Sequence, residues 1–382
     1  MILRQTWAIL IDAYRELNSK KMFWVCLVLS GVFVAVFGCV GIGNGQFTFL
    51  GWNTSIPHNF TSPAEFYKTL FAVVGIDLWL TWAGLFLALI STASLFPDFL
   101  ASGAVDLYLA RPISRTRLFF TKYLAGLLFA FLQALVFTVA CVVVLGIRAG
   151  AWLPELLLAV PIVVLLFSYF FCWSVLAGVL TRSTIAAVLL TLALSVAVFM
   201  TNAAESTLLG FREGYALMIE KSKKDPTLIP ARELLIQMAD AKLKADAAKA
   251  NDEETREKIE ANRRALAQIK EELRDAEGTK ARLDMWHGVA FVAKTILPKT
   301  TETRGLLNKA LEVSLNRKGD RDEEPLPMVQ ANQLRAPSMR EFRKSMNAEL
   351  ERRTPLWVLS SSMAFQGVVL LAGVWVFVRR DY

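Results

Sequence analysis

Six stretches of this chain are apolar for about the length a helix needs to cross a lipid bilayer, and no other feature restricts its fold so tightly. A hydrocarbon layer of roughly 30 Å takes about 20 helical residues. The stretches are 22–42, 72–96, 118–146, 153–180, 184–203 and 356–378. Inside lipid every backbone amide and carbonyl must be paired within the protein, so such stretches fold as helices. The expected fold class is all-α: a polytopic membrane protein with six transmembrane helices. The 54% hydrophobic and 20% charged content lies on the apolar side of soluble domains, which average about 45–50% and about 25%. The first stretch closes without a small-residue cleavage site and reads as a span rather than a signal peptide. Pro161 in the fourth is tolerated where neighbouring helices satisfy the freed carbonyl.

The net charge of +8 is distributed by topology. Arg4, Arg15, Lys20, Lys21, Arg111, Arg115, Arg117, Lys122, Arg182, Arg379 and Arg380 fall on one side of the six spans, and only Lys68 and Arg148 in the opposite short loops. Positive charge collects in cytoplasmic loops, so both termini are expected in the cytoplasm and 204–355 outside it. The basic balance needs no nucleic acid to explain it.

Several chemistries are disfavoured. Two histidines, His58 and His287, cannot supply a multi-histidine metal site. Cys26, Cys39, Cys141 and Cys172 all lie in apolar stretches without CxxC spacing, so neither a disulfide framework nor a zinc site is expected. No GxxxxGK[ST] phosphate loop occurs, so ATP binding is expected from another polypeptide; with no His, Ser, Asp or Glu constellation within the spans either, no catalytic residue, cofactor site or metal site is expected on this chain. Gly41-Ile42-Gly43-Asn44-Gly45 follows a span rather than a strand, which argues against a dinucleotide loop. The Asn59-Phe60-Thr61 sequon reads as chance.

The organisation follows as 1–203, the polar insert 204–355, and 356–382. Within the insert, 231–283 is rich in Ala, Glu, Lys, Arg and Leu and carries one heptad frame. Its a positions include Ala231, Met238, Ile259, Leu266 and Leu273; its d positions include Leu234, Ala241, Asn262, Ile269 and Ala276. The frame fails from Asp252 to Thr255. Either one helix of roughly 80 Å or a hairpin turning near Asn251 fits, with Asn251 and Glu254 as a capping box and Gly278 near the end. The run from Met285 to Lys294 is too short to span and either lies on the membrane surface or covers the bundle. Residues 317–337 read as a connector. The insert serves either as docking module for an extracytoplasmic partner through 231–283 or as a coiled coil joining two protomers.

The loop between spans two and three carries the most specific pattern, Phe96-Pro97-Asp98 through Arg111-Pro112-Ile113-Ser114-Arg115. Pro97 and Asp98 suit a helix start, and Leu100, Ala104 and Leu107 share one face. Pro112 stops the helix, and Arg115, Arg117 and Lys122 return the chain to the headgroups. A short amphipathic helix over about 98–112 is expected, joined rigidly to two spans.

Asp98, Gly103, Leu107, Leu109, Arg111, Pro112, Ile113, Ser114, Arg115 and Lys122 make this run resemble the permeases of class-two ATP-binding-cassette exporters, including nitrous-oxide-reductase maturation and sodium-export permease relatives. Asp12 to Leu17 and Phe377 to Tyr382 resemble family ends. Thr121 stands where a glycine commonly precedes the lysine, and the 150-residue insert is atypical. The resemblance implies a non-enzymatic permease subunit in a bacterial inner membrane, with an interfacial N-terminal helix. It also implies a separate ABC ATPase subunit holding ATP and magnesium, and a second permease copy. The ATPase-coupling interface would comprise Asp98, Gly103, Asp106, Leu107, Tyr108, Arg111, Pro112 and Arg115.

Polar residues within the spans are few. Asp77, beside Trp79 and Trp82, and Gln133 form the candidate intramembrane polar site; Gln133 serves either an interhelical hydrogen bond or a substrate route. The competing reading of the whole chain is a membrane-anchored coiled-coil scaffold that recruits an envelope partner.

Overall fold

The computed structural model describes residues 11, 15, 21–43, 45–50, 52–57, 60, 62–101, 114–150, 152–245, 253–310 and 334–379. It is mostly helical and contains six helices long and apolar enough to cross a membrane: Lys21–Cys39, Glu65–Leu100, Arg115–Arg148, Pro154–Thr181, Thr184–Ala241 and Pro355–Arg379. The chain divides into two compact units. The first comprises Met1–Phe199, Ile296–Asn316 and Pro355–Tyr382; the second comprises Met200–Thr295 and Arg317–Thr354.

In the first unit, α1 (Lys21–Cys39) ends earlier than its apolar composition suggests. Val40–Gly43, Gln46–Phe49 and Trp52–Pro57 form strands β1, β2 and β3 of an antiparallel meander, so the first span stops at Cys39 rather than residue 42. The glycine run is thus a hairpin with Gly43 opposite Gln46, and Gly45 turns it at a φ of 76° that a side chain disfavours. Tyr67 fastens the sheet by donating to the Val40 carbonyl at 2.8 Å, and Arg148 donates to the Tyr67 hydroxyl at 3.3 Å.

The second apolar rod is a series of shorter helices. Ser62 caps α2 (Pro63–Leu70) by accepting from the Glu65 amide. A π-helix over Phe71–Gly84 follows, then α3 (Leu85–Thr92) and α4 (Leu95–Ala101). Ser114 caps α5 (Arg115–Ala149), which ends on Gly150 in the left-handed region. A 3₁₀ turn, Pro154–Leu158, leads into α6 (Ala159–Thr181).

Apolar all round, α6 is the central helix, as a helix with no polar face must be. Phe167, Tyr169, Phe171 and Cys172 on it are fully enclosed. One core gathers Phe96, Phe99, Phe119, Phe171 and Phe377; a second gathers Phe66, Phe71, Phe137, Val160 and Leu307. The outer faces are equally apolar. Trp24, Val28 and Val32 on α1, Leu189, Val196 and Phe199 on α7 (Thr184–Lys224), and Val368, Leu371 and Trp375 on α12 (Pro355–Arg379) are exposed. A soluble monomer rarely leaves so much apolar surface in one belt.

The second unit is built on polar helices. α7 continues well beyond its apolar stretch to Lys224, followed by α8 (Ile229–Ala245) and α9 (Glu253–Ile296). Arg263 reaches Asp240 at 2.8 Å and Lys270 reaches Glu233 at 2.8 Å, so α8 and α9 run antiparallel as a hairpin, not a rod. The capping box proposed at Asn251 lies partly outside the described residues. In the second half the heptad frame holds, with Ile259, Ile269 and Ala276 buried. It fails in the first half, where Leu234 and Met238 are exposed because α8 turns a different face inward. Gly278 does not end the helix; α9 continues through it to Ile296, since nothing follows it to satisfy a turn and helix formers surround it.

Two further elements depart from the sequence reading. α10 (Thr300–Ala310), read as part of the insert, belongs to the apolar unit: Leu307 is fully buried beside Leu156, Val160 and Val163. The connector 317–337 is anchored at its end. Leu334 is buried, and Arg335 donates through its amide to Ser222 Oγ at 2.9 Å and through Nε to Asp225 at 2.7 Å. α11 (Met339–Glu351) then starts with a capping box between Ser338 and Glu341.

Candidate functional site

The shoulders of the loop between spans two and three are packed firmly. α4 carries Asp98 in its first turn, and Pro97 lies against Gly178 of α6, where a Cβ would approach the proline ring at 3.1 Å. Lys122 of α5, itself buried, places its ammonium 5.1 Å from the centre of the Phe99 ring, and Phe99 stacks on Phe377 of α12. On the return, Arg115 donates to the carbonyl of Val378 at 3.0 Å. Asp98 and Arg115 therefore lie on packed shoulders, Pro97 and Phe99 before residues 102–113 and Arg115 and Lys122 after them. Gly103, Asp106, Leu107, Tyr108, Arg111 and Pro112 lie outside the described residues, as do most of the N-terminal arm and the last three residues.

The intramembrane pair does not form one site that can be described. Asp77 falls within the π-helix, and its side chain lies outside the described residues. Gln133 is 5% exposed, and its Oε1 accepts no hydrogen bond among the described residues. It lines a void with Leu80, Gly84, Leu85, Ala88, Ala130, Ala134, Val163 and Phe167. Gly84 and Ala88 on one rod, and Ala130 and Ala134 on α5, are small residues spaced by four, the pattern that lets helices approach closely. The void accommodates about one water molecule, not a cargo. A glutamine that does bond between helices is Gln366: its Nε2 donates to Tyr123 Oη at 3.0 Å, and its Oε1 accepts from Ser168 Oγ at 3.0 Å.

Two buried cations escape sequence reasoning. Lys299 is fully enclosed in the apolar unit at the start of α10. Its Nζ donates to Ser361 Oγ at 2.6 Å and lies 4.3 Å from the centre of the Trp357 ring, and its amide donates to Ser362 Oγ at 3.0 Å. These bonds fix α10 against the first two turns of α12.

Lys294 belongs to the second unit and faces Glu205, which is only 1% exposed. Glu205 accepts from Lys294 at 2.8 Å and from Arg353, and His287 Nε2 lies 3.3 Å away. Burial raises the Glu205 pKa, but hydrogen bonds and charge from Arg353 and Lys294 outweigh it and hold the carboxyl below its ordinary range. The chain passes between the units at 199/200, 295/296, 316/317 and 354/355; Glu205, Lys294 and Arg353 each lie within six residues of one of these. A single carboxylate thus gathers three stretches of the chain within the second unit. Two signals were available in the sequence: an acid just past the fifth apolar stretch, and a lysine closing the apolar run from Met285.

The outer carboxylates of this unit are also paired. Hydrogen bonds from Thr227 and then Arg335 lower Asp225 to about 2. The Ser338 amide lowers Glu341, and Lys280 with Arg212 lowers Asp284. Among the described residues, no group of three or more His, Cys, Asp or Glu side chains is placed to hold a metal ion. No protein-family model, curated protein or solved structure matches the chain.

Proposed function

We propose that this chain is the transmembrane permease subunit of an ABC exporter, with both termini in the cytoplasm. It couples ATP hydrolysis on a separate ATPase subunit to export or to mechanical signalling across the membrane. The observation that carries this reading is the packing of the two shoulders that flank 102–113. With Phe99, Lys122 and Arg115 bound into α5 and α12, and Pro97 seated on α6, a push on the intervening residues is delivered to the bundle as rigid-body motion. Close packing favours such transmission, because packed interiors deform little.

The mechanical version has specific support. The void at Gln133 is water-sized, whereas α7 runs unbroken from the fifth apolar stretch into the polar unit and carries Glu205. Movement of spans five and six would reach the hairpin through the Glu205–Arg353 and Glu205–Lys294 bonds. The scaffold alternative draws on the exposed Leu234, Leu235 and Met238 on α8.

Affinity purification in mild detergent with mass spectrometry tests the proposal. A P-loop ATPase is expected in equal copy number, and charge reversal at Arg111 and Arg115 is expected to release it without preventing membrane insertion. A short flexible linker in place of 231–283 is expected to retain it. Recovery of envelope proteins without an ATPase refutes the coupling reading in favour of the scaffold.

A further inference from the structure

The antiparallel meander of the first unit carries no charged residue anywhere from Val40 to Pro57. Its turn between β2 and β3 is apolar and open: Phe49 is 50%, Leu50 67% and Trp52 84% exposed. Leu50 also holds a φ of 51°, a left-handed conformation that a leucine rarely adopts. A hydrogen bond fixes the level of this turn, since the Leu50 amide donates at 2.8 Å to the carbonyl of Cys39, the last residue of α1. Trp152, 64% exposed, stands at about the same level. Its ring covers Gly146 of α5, where a Cβ would approach it at 2.7 Å. Gly38 of α1 meets Val144 of α5 and Gly41 meets Arg148, so Gly146 lies level with the end of α1.

We infer that Phe49, Leu50, Trp52 and Trp152 form an interfacial anchor, seated among the lipid headgroups and the first carbons of the acyl chains where the first span ends. Three observations select lipid as the partner. The depth fits, because the 19 residues of α1 rise about 28 Å, nearly the whole of a roughly 30 Å hydrocarbon layer, which puts Cys39 and the turn bonded to it at the boundary. The surface is continuous with the apolar belt: exposed Val28, Val32 and Val36 on α1 lead up to the turn, and exposed Val143 and Ile147 on α5 lead up to Trp152. The chemistry fits, because tryptophan is favoured at the interface. Of the charges at this end of the bundle, Lys68 pairs with Glu155 at 2.8 Å and Arg148 turns onto the Tyr67 hydroxyl. The backbone sets a limit to the depth. β3 is an edge strand, and an open sheet edge is not tolerated within hydrocarbon, so the side chains reach inward while the strand stays at headgroup level. The inference is independent of any ATPase, and so is its test.

The test places single nitroxide labels on the full chain, with Cys39→Ser as background, in phosphatidylcholine liposomes. Labels go at Leu50→Cys and Trp52→Cys, both exposed positions, with Val32→Cys on α1 and Arg264→Cys on α9 as references for lipid and water. Collision with oxygen, which partitions into lipid, is compared with collision with a water-soluble nickel chelate. The oxygen-to-nickel ratio at 50 and 52 is expected to be severalfold above that at 264 and below that at 32. A ratio equal to that at 264 would place the turn in water and overturn the inference. A ratio equal to that at 32 would sink the turn to mid-span and overturn its place at the boundary. Low access to both reagents with an immobile spectrum would place protein over it, a second copy included, and overturn it equally.

Discussion

Replacing Glu205 by glutamine retains the shape of the side chain and removes the negative charge that Lys294 and Arg353 share. Their side chains are 4% and 10% exposed against 1% for Glu205, so solvent screens this cluster little. Removing one partner of a buried ion pair costs about 3–5 kcal/mol, mostly because the remaining charge is left uncompensated. At roughly 1.4 kcal/mol per tenfold, local opening around this cluster should become about 100- to several-thousandfold more frequent. Hydrogen exchange read by mass spectrometry on the full chain is the assay, with peptides covering 200–212, 286–296 and 340–353. The exposed Arg263–Asp240 pair supplies the contrast: Asp240→Asn should cost about 0–1 kcal/mol and leave those peptides unchanged. Replacing Glu205, Lys294 and Arg353 together by leucine should recover most of the protection, because the three charges are removed together rather than one partner being left behind. Exchange within tenfold of the unaltered protein in Glu205→Gln would refute the reasoning.

Two other outcomes follow from the packing and the titration of the molecule. Gly126 on α5 lies against the fully buried Phe171 ring, where even a Cβ would overlap it; Gly126→Val should cost at least about 1–3 kcal/mol and lower the thermal midpoint in detergent, and an unchanged midpoint would contradict the α5–α6 contact. The second unit should hold constant stability from neutral pH down to the ordinary carboxylate range and lose it below. Glu205, Asp225, Asp284 and Glu341 all have lowered pKa values, so their contribution is complete above the unfolded value and vanishes as pH falls through the folded one, for Asp225 from 3.8 towards about 2. Loss of helical signal beginning well above this range would show that other groups govern the unit.

The sequence alone determined the six apolar helices, because their length and composition leave the backbone no other way to satisfy its hydrogen bonds in lipid. The heptad frame also put Ile259, Ile269 and Ala276 on one seam, and all three are buried. What the sequence left open depended on partners distant in the chain. The choice of hairpin over rod is made by pairs such as Asp240 with Arg263, which no local pattern encodes. Leu234 and Met238 follow the frame in sequence and face outward in space, because packing selected another face of α8. α10 looks polar by composition, yet Leu307 on it and Lys299 just before it are buried, since Ser361, Ser362 and the first turn of α6 supply contacts that neighbours in sequence cannot. Glu205 is the plainest case. Read along the chain it is one acid after an apolar stretch, and only the fold brings residues 287, 294 and 353 around it.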